Sequence, residues 1–167
     1  MKKLLFVLIL AAIITTGTAF ADHPNGLGIG VQTGTFGTWS GYGGYTPNVA
    51  LSLKVPSLPV FWAIRLDIYD GYFGLNVAGD YYLIDNVLVR DIGLHWYLGV
   101  GVGVNLGISD PLIFGAAVRL PIGLSWQPIP LLELFLQLVP NLGLQVLPSV
   151  HFPYGGWGGD FGIRLWL

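Results

Sequence analysis

The chain has 167 residues, of which 53% are hydrophobic, with seven basic and nine acidic residues, a net charge of −2 and no cysteine. Charged residues make up 10% of the chain, against about a quarter in soluble domains, and the few basic residues are scattered, which argues against a nucleic-acid partner. The lack of cysteine excludes a disulfide framework and a lipid-anchored thiol.

Lys2 and Lys3, the apolar run Leu4 to Ile14 and the Ala19-Phe20-Ala21 pattern read as a secretory signal peptide over residues 1–21, cleaved before Asp22. The apolar run is too short for a transmembrane helix, which needs about 20 residues. Residues 22–167 then form one domain. Within it, a period of two recurs between turn-forming residues. GLGIGVQT (26–33) is the first strand, and NVALSLKV (48–55) the second, with Lys54 on its less apolar face. WAIRLDIYD (62–70) sends Trp62, Ile64, Leu66 and Ile68 to one side and Arg65 and Asp67 to the other. LNVAGDYYL (75–83) carries Asp80 on its polar face. LHWYLGVGVGVNL (94–106) alternates large apolar residues with His95, Tyr97 and three glycines. FGAAVRLPIGLSW (114–126) offers Arg119 and Ser125, LELFLQL (132–138) offers Glu133 and Gln137, and GDFGIRLWL (159–167) offers Asp160 and Arg164. Pro121 and Pro140 predict local bulges.

Two solvents would explain such strands. A soluble ligand-holding barrel would turn its apolar face inward and a Lys-, Glu- and Thr-rich face to water. Here the second face is mostly Gly, Ala, Ser, Asn and Tyr with isolated charges, while the apolar face far exceeds any patch a soluble monomer tolerates. Hydrocarbon outside and a polar lumen account for both, and closure satisfies every backbone hydrogen bond. The expected fold is therefore all-β: an eight-stranded antiparallel up-and-down transmembrane β-barrel in the bacterial outer membrane. Its lumen charges, Lys54, Arg65, Asp67, Asp80, Arg119, Glu133, Asp160 and Arg164, must pair, and eight strands leave little open space. A hairpin centred near Tyr72 would set Arg65 across from Asp80. One near Ser149 sets Glu133 across from Arg164, and one near Asp110 sets Arg119 across from Gly101, whose missing side chain leaves room.

Chemistry is sparse. His23, His95 and His151 lack metal-ligand spacing, no cofactor is implied, and the Gly-x-Gly patterns fall in strands. With a hairpin centre near residue 129, Ser125 would sit between His95 and Glu133, the raw material of a lipid hydrolase; polar closure of the periplasmic mouth explains the trio more simply. The loops, TGTFGTWSGYGGYTP, DGYFG, GISDPL and LPSVHFPYGGW, suit an interfacial aromatic girdle or a surface for an external partner.

LNVAGDYYLID, WYLGVGVGVNLG, AAVRLPIGLSWQPIPLLELFLQLVPNLGLQVLP and the final GGDFGIRLWL resemble a family of small outer-membrane barrels typified by spirochaete proteins of OmpX or OmpA-transmembrane-domain type. The resemblance implies both chain ends in the periplasm and no catalytic residues. It also implies a C-terminal insertion signal, here Phe161, Ile163, Leu165 and Leu167, read by the barrel-insertion machinery. Two positions depart from the pattern: Leu167 stands where an aromatic is usual, and Gln137 where an acid is expected. The reading is a monomeric, non-enzymatic barrel in outer-membrane lipid with an envelope-structural or surface role. OmpW-like binding or passage of a small solute, hydrophobic or otherwise, is the alternative.

Overall fold

The computed structural model describes residues 23–39, 45–69 and 72–167; the proposed signal peptide and Asp22 lie outside them. The strands are β1 (Gly28–Thr38), β2 (Tyr45–Lys54), β3 (Phe61–Tyr69), β4 (Tyr72–Val89), β5 (Leu94–Ile108), β6 (Ile113–Arg119), β7 (Ile122–Ile129), β8 (Leu132–Leu147) and β9 (His151–Trp166). A short 3-10 turn, Arg90–Ile92, joins β4 to β5. Each strand pairs antiparallel with its neighbours, and β1 also pairs with β9, so the sheet closes on itself.

The ring has eight spans because β6 and β7 are one strand interrupted at Leu120-Pro121. Arg119 lies opposite Gly101 and Ile122 opposite Leu98, so the register on β5 is unchanged across the gap. The same holds on β8, where Arg119 meets Asn141 and Ile122 meets Leu138. Backbone bonds continue through the gap, from Gly99 N–H to the Pro121 carbonyl and from Leu120 N–H to the Pro140 carbonyl. The bulges expected at Pro121 and Pro140 are therefore absent: each proline has only its missing N–H to accommodate, and its carbonyl still accepts. Register shifts fall elsewhere: in β4 against β5 between Tyr82 and Ile84 and again between Val87 and Val89, and near Phe114, Trp126 and Gly143 in the pairings of β8 with β6, β7 and β9. Each slip in β4 moves inward-facing positions by one residue.

Burial follows the alternation and is inverted relative to a soluble protein. Val31, Val102, Val118, Leu124 and Leu136 are exposed on the outside, with Val102 at 66%, while Asp160 and Glu133 inside have 0% exposure. Phe161, Ile163, Leu165 and Leu167 all lie on the outer face. The strands also run further than their sequence pattern suggested: β1 continues to Thr38 and β9 begins at His151, so much of two expected loops is barrel wall. The 16 residues of β8 and of β9 span roughly 53 Å along the strand, which at a tilt near 45° exceeds an apolar band about 25 Å tall.

Candidate functional site: the barrel lumen

Register places most lumen charges where they can meet. Glu133 faces Arg164 on the adjacent strand, as expected, and Arg164 donates to its carboxylate at 2.6 Å. Glu133 also accepts from the Trp166 indole at 2.8 Å and the Ser125 hydroxyl at 3.0 Å. The Arg164 guanidinium donates to Ser52 Oγ at 2.9 Å and lies over the rings of Phe135 and Phe61, 4.7 and 4.8 Å from their centroids. A cation buried this deeply is tolerable because its donors and its faces are both occupied.

Arg119 faces Gly101 as expected, but the partner beyond is Asp80, which faces Gly101 from the other side. Arg119 Nε and Nη2 donate to the two oxygens of Asp80 at 2.9 and 3.1 Å. The Asp80 carboxylate lies in the space where a Gly101 side chain would begin. An ion pair thus spans two strand widths across a residue with no side chain. The same device recurs at Gly123, between Tyr97 and Gln137: the Tyr97 hydroxyl passes over it and donates to Gln137 Oε1 at 3.0 Å.

Arg65 does not face Asp80. The β3–β4 hairpin closes with Tyr69 opposite Tyr72, which sets Arg65 against Asn76 and Asp80 against Phe61. Two residues, Asp70-Gly71, separate the strands, and an Asp-Gly pair is a signal for a two-residue hairpin loop. Arg65 crosses the lumen instead and donates to both oxygens of Asp160 at 3.2 and 3.1 Å. Asp160 also accepts from Gln137 Nε2 at 3.1 Å. Gln137 accepts from a tyrosine and donates to a carboxylate; an acid there would set a second negative charge against Asp160. Lys54 donates to the Val55 carbonyl at 3.1 Å, with its ammonium 5.8 Å from the Phe61 ring. Asp67 is half-buried near the loop end, with no ion pair of its own among the described residues.

The trio His95, Ser125 and Glu133 is only partly assembled. His95 faces Ser125 as expected, but Ser125 faces Phe135, because the β7–β8 register is two residues off the expected one. Ser125 donates directly to Glu133, and Nδ1 of His95 has no hydrogen-bond partner. A nucleophile needs its hydroxyl hydrogen bonded to the base; here the proton is directed to a carboxylate already held by an arginine.

The residue the sequence pattern did not single out is His23. It precedes β1 and enters the lumen, where it is 3% exposed. Its Nδ1 meets Asp85 at 2.5 Å and its Nε2 meets Glu133 at 3.1 Å. Its ring sits edge-on to Phe61, Tyr82 and Tyr97, 5.3 to 5.9 Å between centroids. Those three rings form a stack, with spacings of 4.1 and 4.3 Å. Asp85 reaches this site because of the β4 slip: Tyr82 and Asp85, an even and an odd position, both face inward. His23, the aromatic stack and the Glu133–Arg164 pair fill the lumen at the end bearing the Arg90–Ile92 turn. Toward the other end lies a cavity of about 660 Å³, with Arg65 and Arg119 among its lining residues.

No protein-family profile matches the sequence, and no curated protein does. The crystal structure of neisserial surface protein A (NspA) is similar, with a TM-score of 0.52 at 13% identity, covering 84% of this chain and 97% of that one. The likeness shows the fold, a small outer-membrane-type β-barrel.

Proposed function

We propose that the protein is an integral, non-enzymatic outer-membrane barrel with a surface role, its lumen closed to passage at the end where His23 and Leu167 lie. One observation carries the reading: a closed ring of strands keeps its valines and leucines outside while burying Arg65, Arg119 and Arg164 with their carboxylates within. Only a hydrocarbon surround makes that arrangement favourable. The name of the neisserial protein, a surface protein, supports placing the loop end outward. His23, Leu167 and the Arg90–Ile92 turn then face the periplasm, after export by the signal peptide. Phe161, Ile163, Leu165 and Leu167 form the apolar stripe offered to the insertion machinery.

Two measurements test this. The membrane-extracted protein migrates faster on a gel unheated than boiled, as a closed barrel does, and in planar bilayers it gives no steady conductance. Release of the exported protein from membranes without detergent overturns the membrane reading. A steady ohmic channel overturns closure and favours solute passage.

A further inference from the structure

We propose that the cavity at the loop end is a binding site for a small uncharged sugar, of mono- or disaccharide size. The space, about 660 Å³, lies within the range of small-ligand sites, roughly 300–1,000 Å³. Its chemistry is mixed in a particular way. Arg65, Asn76 and Asn105 lie side by side in register across three adjacent strands, and Asp67 stands two residues from Arg65 on β3. All four line the cavity, with Trp39 and Tyr154 beside them. The Trp39 indole N–H donates to the Asn141 carbonyl at 2.7 Å, and Asn105 Nδ2 donates to the Tyr154 hydroxyl at 3.1 Å, so both rings are fixed in place. Arg65 is 94% buried, and its Nε–H has no partner.

Charge decides among ligands. Both guanidinium groups already hold an aspartate, Arg119 with two hydrogen bonds to Asp80 and Arg65 with two to Asp160, so an anion would find no unneutralised cation. An apolar molecule would strip water from Asp67, Asn76 and the free Nε–H of Arg65 without replacing their hydrogen bonds. An organic cation would meet one carboxylate beside two arginines. A sugar ring carries donor–acceptor hydroxyls on its rim and C–H faces above and below. Amides, which both donate and accept, and a carboxylate suit the first; aromatic faces suit the second. The inference goes beyond the closed barrel, since it concerns the half of the lumen that the ion pairs leave open.

The test uses the full protein in a detergent without a sugar headgroup, with heat-modifiable migration checked first so that a lost fold is told apart from lost binding. Methyl glucoside, sucrose and lactose are titrated by calorimetry and tryptophan fluorescence, and vesicles carrying a glycolipid form a second arm. Saturable one-to-one binding is expected in at least one arm, and the arm that saturates identifies a free or lipid-linked source. Asp67→Asn and Asn76→Ala should each weaken it about tenfold, the worth of one good hydrogen bond. The proposal is overturned if the folded protein binds no sugar, if both variants bind as the parent does, or if a quaternary amine, sulfate or an apolar dye binds where no sugar competes.

Discussion

The two halves of the lumen solve the burial of charge differently. At the turn end, Glu133 accepts from Arg164, Trp166, Ser125 and His23, and the remaining volume is filled by stacked rings. At the loop end, Arg65 and Arg119 are each paired once, and both border a cavity. The first half is filled by side chains that satisfy Glu133 and Arg164 several times over; the second keeps polar groups near space that water or a ligand can enter. The pairing rule is common to both, so the difference lies in what surrounds the pair. A buried charge that loses its partner is costly in proportion to how completely water is kept from it.

The largest expected effect breaks the filled half. Glu133→Ala removes the acceptor of four groups and strands Arg164, which is 2% exposed and walled by aromatic rings. It should cost about 3–5 kcal/mol, read as a lowered urea midpoint for the unfolding of micelle-embedded protein. Asp80→Ala strands Arg119 in the same sense, but Arg119 borders the cavity. Its cost should be smaller, about 1–3 kcal/mol. Equal losses for the two variants would mean that the halves do not differ in access to water.

A milder test acts at the junction. Gln137 links the halves, accepting from Tyr97 and donating to Asp160. Gln137→Glu keeps the shape and removes the donor, setting two carboxylates against each other with Arg65 alone to neutralise them. A loss of about 2 kcal/mol is expected, read as a lowered urea midpoint. A neutral or stabilising result would show that the acid expected from the family pattern is tolerated after all.

How much of this was legible depended on the strand. Where apolar alternation was unbroken, as in Leu94 to Leu106 and Leu132 to Leu138, faces and pairings could be read directly, and Glu133 with Arg164, Arg119 with Gly101 and His95 with Ser125 lie as expected. Arg65 was misassigned by a hairpin centre two residues off, although Asp70-Gly71 carried the turn signal. Because the side-chain period is two, such a slip kept Arg65 facing inward and changed only its partner. Asp85 was invisible for another reason. A register slip inverts the pattern beyond it, and nothing in Tyr82-Leu83-Ile84 announces one. His23 lies before the first strand, where periodicity has nothing to say, and only the closed barrel shows that the residue preceding a strand can fold back inside.

The smallest expected effect, and the most selective, is the removal of that histidine. Burial alone would lower the pKa of His23, but hydrogen bonds to the Asp85 and Glu133 carboxylates outweigh it and raise the value from 6.5 to about 9. The other groups facing the ring are His95, 6.0 Å away, and the tyrosines Tyr82 and Tyr97, with Arg164 behind Glu133. A folded-state value above the unfolded one means that the imidazolium is stabilising throughout the range below about pH 6.5, and that this contribution is lost as the pH rises through about 9. His23→Ala should therefore cost about 1–2 kcal/mol near pH 6, and the gap between variant and parent should narrow steadily toward pH 10. If the two unfolding curves instead run parallel from pH 6 to 10, His23 carries no proton between those carboxylates, and the closure at the turn end rests on the aromatic stack and the Glu133–Arg164 pair alone.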